Sequence, residues 1–277
     1  MPERSQANPT RFFAWTLALS VPFYIWGVFW PIHGLPLGLP VTAAMIVVPA
    51  TVATLLARRE AGARAAWNLW RRVGDVERIR SVRWLAMSLG CMPVVSALTY
   101  AVMRALSLPL PLTIRVPLLA SPVIFIVFFV GAVFEEIGWT AYATEPLQRR
   151  HGVVGAGLII GAVWAIWHIV LWLGQGHPAW WVLGQTLATL TMRIIMGWIY
   201  ARGGRSLFLA IVFHAMTNTS SMVSYGSYYN PLVVAAVLGI VAGAIGILSE
   251  SPRASRSNLV RCENSTHGAT PPRGSRT

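Results

Sequence analysis

Eight apolar blocks divide this 277-residue chain, each close to the roughly 20 residues a helix needs to cross a bilayer core. They lie near 12–31, 37–57, 84–106, 118–143, 153–173, 181–201, 206–224 and 232–249. A soluble fold could not hide them, because only 11% of the residues are charged, against roughly 25% in an ordinary soluble domain. The expected fold is therefore all-α: a polytopic membrane helix bundle of about eight transmembrane helices, forming one domain over residues 1–250. The first block follows Arg4 and Arg11 and has no clear small-residue cleavage site, so it reads as a retained signal-anchor.

All 22 basic residues are arginine, and with nine acids they give a formal charge of +13. In a soluble chain that charge would suggest nucleic acid. Here the arginines fall between apolar blocks, so the cause is topological and no nucleic-acid partner is expected. With the N-terminus inside, nineteen arginines lie on the cytoplasmic side and two, Arg104 and Arg115, lie outside. The expected location is the cell membrane, multi-pass, with both termini cytoplasmic. The connection 58–83 interleaves eight arginines with Trp67, Leu69, Trp70, Val73, Val76 and Ile79. It reads as a cytoplasmic basic amphipathic helix lying on an anionic inner leaflet, the alternative being a solvated basic loop. The tail 251–277, rich in Ser, Pro, Arg and Thr, is expected to be a disordered cytoplasmic segment. The two cysteines, Cys91 and Cys262, make no disulfide framework.

Charges inside a bilayer are penalised by about 2.5–3.5 kcal/mol on insertion scales, so those that occur ask for a reason. The fourth block holds Glu135 and Glu136, in Val-Phe-Glu-Glu-Ile-Gly-Trp-Thr; the fifth holds His168; the sixth holds Arg193; the seventh holds His214 and Asn218. His214 and Asn218 are one turn apart and share a helix face. Glu135 and Glu136 are about 100° apart around their helix and cannot serve one spot together. Gly138, three residues after Glu135, is expected to leave room beside that carboxylate for water or substrate. A lone histidine such as His168 can be merely a helix–helix hydrogen-bonding group. Carboxylates, imidazoles and an amide on successive helices make a general acid/base constellation the stronger reading. Trp164, Trp167 and Trp172 read as packing and interface anchors, and Gly157 and Gly161 as close helix packing.

These motifs in this order, Glu-Glu, then Trp164-x-x-x-His168, then His214-x-x-x-Asn218, resemble the CPBP intramembrane protease family. That family includes CAAX prenyl endopeptidases of the Rce1 kind and bacterial bacteriocin-processing and self-immunity proteins. The resemblance spans about 130–224, inside a segment 118–224 taken as the catalytic core. It implies hydrolysis of a peptide bond in a membrane-tethered peptide or protein substrate. Glu135 and His168 would activate water, and His214 and Asn218 would stabilise the oxyanion, with Glu136 completing the candidate catalytic set. Donors fixed in a low dielectric suit a developing oxyanion, and a carboxylate in a dry setting suits a base near neutral pH.

The family's first motif usually ends in arginine, where this chain has Thr140. An arginine there would pair with Glu136, so Arg193 is expected to supply the missing cation. The alternative is a catalytically inactive immunity-type or scaffold relative that binds a peptide partner. Counted from the expected cytoplasmic helix ends, Glu135 and His214 lie about 12 Å deep and His168 nearer 22 Å, a mismatch at about 1.5 Å per residue. The favoured mechanism requires no cofactor. Zinc is the alternative, and it would be held by Glu135, His168 and His214.

Overall fold

The computed structural model describes residues 7–29, 41–110, 119–225 and 228–250. The expected disordered tail and the end of the first apolar block lie outside these residues. Regular structure among them is entirely helical: α1 (Pro9–Phe29), a 3-10 stretch (Val41–Val47) running into α2 (Val48–Ala61), α3 (Ala63–Arg71), α4 (Val82–Ala105), α5 (Ser121–Glu136), a π-helical segment (Ile137–Thr144), α6 (Glu145–Gly174), α7 (Ala179–Arg202), α8 (Leu207–Tyr225) and α9 (Pro231–Glu250). Among the described residues six helical runs are long and apolar enough to cross a bilayer, one of them the 54-residue stretch Ser121–Gly174 that joins the fourth and fifth blocks. The protein is a polytopic helical membrane protein.

That long run is not straight. Gly152, at φ 67° and ψ −177°, interrupts helical geometry inside α6, a conformation that favours glycine. The Trp164 indole reaches Glu135 at 2.7 Å although 29 positions separate them. A straight helix would hold them roughly 43 Å apart. The chain therefore folds back at Gly152, and Glu135 and His168 lie almost equally far from that bend along the chain. The depth mismatch expected from the sequence came from placing the turn near residue 143. Between Glu135 and His168 it closes once the turn is at Gly152.

Small residues let the helices approach closely, as lipid-embedded bundles require. A Cβ on Gly157 would come within 2.7 Å of the Ile194 backbone, and one on Gly161 within 2.9 Å of the Leu190 backbone. Both glycines therefore seat α6 against α7, as expected. The innermost helix is α8, apolar around its circumference and buried throughout residues 209–215. It packs against α4, α5 and α7. Large apolar side chains such as Val123, Ile126, Ile240 and Ile247 face outward, where lipid rather than water meets them.

The connection 58–83 is not one amphipathic helix. Arg58 and Arg59 belong to α2, Gly62 (φ 84°) breaks the chain, and α3 is followed by short 3-10 turns at Arg72–Gly74 and Val76–Arg78. The break has a cause in Asp75, which is buried and caps α8. Its carboxylate accepts from the Ser206 hydroxyl at 2.8 Å and from the backbone N–H of Leu207 and Phe208 at 3.2 Å each. An anion at a helix N-terminus satisfies donors that have no partner within the helix. Amphipathic character survives within α3, where Arg64, Trp67, Asn68 and Arg71 are exposed and Ala66 is buried.

Candidate active site

The fourth block carries its two glutamates to the boundary between α5 and the π segment. A π-helix is rare and concentrates at functional sites. Within it the Thr144 hydroxyl donates to the Trp139 carbonyl at 2.8 Å. Within this segment all eight residues are buried. Gly138 does not face open space, contrary to expectation. A Cβ there would meet Phe12 at 2.7 Å and Pro49 at 2.8 Å. Its missing side chain is filled by α1 and α2, because the π geometry turns that position away from Glu135.

Glu136 is fully buried, and three side chains converge on it. Arg193 from α7 donates to Oε2 at 2.9 Å, the Thr140 hydroxyl donates to the same oxygen, and His214 Nδ1 lies 2.8 Å from Oε1. The expected Arg193–Glu136 pair forms, with 3% and 0% side-chain exposure. A buried ion pair survives only when its remaining hydrogen-bonding capacity is filled. Here Thr140 and His214 fill that of the carboxylate, while Arg193 Nε and Nη2 have no hydrogen-bond partner among the described residues and the guanidinium lies over the Trp164 ring. Glu136 does not line the cavity described next, so its position makes it a group that holds others in place.

Glu135 points the other way, as the 100° offset requires. Its Oε2 accepts the Trp164 indole N–H at 2.7 Å, and its Oε1 lies 4.0 Å from His214 Nε2. That separation is too long for a direct hydrogen bond. His168 sits one turn above Trp164, with Nδ1 2.9 Å from the Trp164 carbonyl oxygen. A carbonyl can only accept, so Nδ1 carries the proton and Nε2 presents a lone pair. His168 is held on three sides by the rings of Trp164, Trp167 and Trp172, with centroids 4.5 to 5.6 Å away. Trp167 is in turn anchored by donating to Ser20 on α1 at 2.6 Å.

Glu135, His168, His214 and Asn218 all line one cavity of about 890 Å³ between α5, α6, α7 and α8. The cavity extends into apolar walls that include Met45, Met92, Phe128 and Met192. Sequence reasoning underrated Trp164, whose four-residue spacing from His168 was the available signal that both face one way. The ring of Trp164 also lies 4.3 Å from the Arg193 guanidinium carbon, a cation–π contact joining the two glutamate environments. Two further cavity residues, Gln185 and Tyr229, escaped notice because neutral polar groups near helix ends raise no alarm in a hydropathy reading.

The zinc alternative needs Glu135, His168 and His214 to converge on one point. Among the described residues no three His, Cys, Asp or Glu side chains gather closely enough to hold a metal ion. His214 commits Nδ1 to Glu136 and His168 commits Nδ1 to a carbonyl, which leaves one nitrogen of each ring toward the cavity.

Fold and site together define a class: a polytopic helical membrane protein with a carboxylate, two imidazoles and an amide around one intramembrane cavity. Residues 117–220, the stretch that builds that cavity's polar wall, match the model of the type II CAAX prenyl endopeptidase Rce1-like family. Over this stretch the chain is similar to the Rce1-like (CPBP) family. It is 30% identical over 132 residues to a protein named CAAX prenyl protease 2 from Methanococcus maripaludis, covering 45% of this chain and 48% of that one. It is 25% identical over 128 residues to Lysostaphin resistance protein A from Staphylococcus haemolyticus, covering 46% of this chain and 34% of that one. The chain thus spans less than half the length of these curated relatives.

Proposed function

We propose that this protein is an endopeptidase that hydrolyses a peptide bond of a membrane-associated substrate with a water activated by Glu135. The observation that carries the reading is the shared cavity of Glu135, His168, His214 and Asn218. Glu135 Oε1, the oxygen not engaged by Trp164, takes a proton from water. The His168 Nε2 lone pair accepts a hydrogen bond from the same water and orients it. The resulting hydroxide attacks the scissile carbonyl, and Glu135 passes its proton to the departing amine. Asn218 donates to the oxyanion from its amide N–H. Donation by His214 Nε2, while Nδ1 donates to Glu136, requires both ring protons. No step runs through a metal.

The inactive-relative reading rested on Thr140 in place of arginine. Arg193 supports the active reading instead, since it brings a guanidinium to the carboxylate that would otherwise stand unpaired. The substrate class named for the matched family makes a farnesylated C-a-a-X peptide the first probe. The arginine distribution supports a topology with both termini in the cytoplasm and the basic connection against an anionic inner leaflet.

The test compares protein neo-termini in membranes of cells carrying wild type or Glu135→Ala, followed by cleavage of the farnesylated peptide by purified protein with and without a chelator. Cleavage that needs Glu135 and survives chelation is expected. No difference in neo-termini together with an uncut peptide would refute the endopeptidase, and loss on chelation restored by zinc would refute the metal-free mechanism.

A further inference from the structure

We propose that the carboxamide of Gln185 is a substrate-positioning group that donates a hydrogen bond to a backbone carbonyl at an internal position of a bound peptide. The proposal rests on the endopeptidase reading and adds a binding contact to it. Its origin is a close helix crossing. A Cβ on Gly184 would come within 2.8 Å of the Leu232 nitrogen and 3.0 Å of the Pro231 carbonyl carbon. With glycine there, α7 meets the start of α9 backbone to backbone, which draws the preceding connection over α7. Tyr229 in that connection donates its hydroxyl to Gln185 Oε1 at 2.5 Å.

Burial raises the Tyr229 pKa to about 12, so the phenol keeps the proton it donates. With Oε1 engaged, the amide is fixed with its two N–H groups available. Gln185 Nε2 has no hydrogen-bond partner among the described residues. Gln185 and Tyr229 both line the cavity that holds Glu135, His214 and Asn218.

The charge of the lining selects among acceptors. Its titratable residues are Glu135, His168, His177, His214 and Tyr229, with no arginine among them and no lysine in the chain. Burial lowers the His177 pKa, which keeps that ring neutral. A free C-terminal carboxylate would meet Glu135 with no guanidinium or ammonium counter-charge, and the His214 ring, protonated in the mechanism, already faces Glu135 and Glu136. A peptide carbonyl brings no charge and needs only a neutral donor, which Gln185 supplies. The contact therefore suits an internal residue held clear of the substrate's own terminus.

Binding without turnover isolates this contact. Full-length Glu135→Gln protein in detergent is titrated against a fluorescein-labelled farnesylated C-a-a-X peptide, made once as the free acid and once as the terminal amide. Adding Gln185→Ala, or the similarly sized Gln185→Met, is expected to weaken binding about three- to tenfold, equally for both peptides, as for one neutral hydrogen bond. Tyr229→Phe is expected to weaken it less, with thermal midpoints unchanged. Equal affinities with and without Gln185, a loss confined to the free acid, or no binding by any variant would overturn the proposal. Wild type that cuts the peptide while Gln185→Ala binds normally sinks the positioning contact alone. Protein that shows the Gln185 effect but never cuts sinks the endopeptidase alone.

Discussion

Arg193 and Glu136 come from different helices, 57 positions apart in the chain, and meet at 2.9 Å with almost no exposure. Glu136 in turn receives His214 Nδ1, so the pair fixes the ring whose other nitrogen faces the cavity. Removing one partner of a buried pair leaves an uncompensated charge, worth about 3–5 kcal/mol. Arg193→Met is expected to lower the thermal midpoint sharply and abolish cleavage. Returning a guanidinium on the other side, as Arg193→Met with Thr140→Arg, is expected to recover much of both, because Thr140 already touches the same carboxylate oxygen. The midpoint of the double variant against the single one reads the outcome directly.

Trp164 holds one oxygen of Glu135 and leaves the other for water. Trp164→Phe keeps an aromatic ring beside Arg193 and His168 but deletes the indole donor. A hydrogen bond to a charged acceptor contributes about 1.5–3 kcal/mol. The expected loss in kcat/KM is therefore roughly ten- to a hundredfold, with fold stability little changed. Initial rates together with a thermal melt separate the two effects.

Asn218 lines the cavity one turn after His214. Loss of a single oxyanion donor lowers kcat by about 10²–10³ with KM preserved. Asn218→Ala is expected to show that split. Asn218→Asp is expected to be worse, since it sets a second carboxylate where negative charge develops. Steady-state kinetics on the farnesylated peptide measure both variants.

Gly138 tests the corrected reading of the π segment. Gly138→Ala drives a methyl into Phe12 and Pro49, and overpacking of this kind costs about 1–3 kcal/mol. The variant is expected to melt at lower temperature yet bind substrate with an unaltered Kd below its midpoint. A change in affinity without a change in melting would return Gly138 to the cavity wall.

The polar wall of the site was readable in the sequence because each of Glu135, His168, His214 and Asn218 is out of place in an apolar block. Arg193 was readable for the same reason, as a charge without an evident partner. Trp164 was not, since an indole among apolar residues looks like packing until its N–H is seen to reach Glu135. Gly138 misled because the direction of a glycine's empty side depends on local helix type, and nothing in Ile-Gly-Trp-Thr announces a π segment. The break in 58–83 was hidden because Asp75 serves α8, 131 residues away. Helix existence follows from local hydropathy. Caps, kinks and the second partner of each polar group depend on residues far along the chain.

The reversal at Gly152 makes the two arms of a hairpin answerable to each other. Glu135 rides on one arm and His168 on the other, at matching distances from the bend. Inserting or deleting a single residue in either arm would slide one group past its counterpart by about 1.5 Å and swing it by about 100°. The arms must therefore hold their length as strictly as the site holds its side chains.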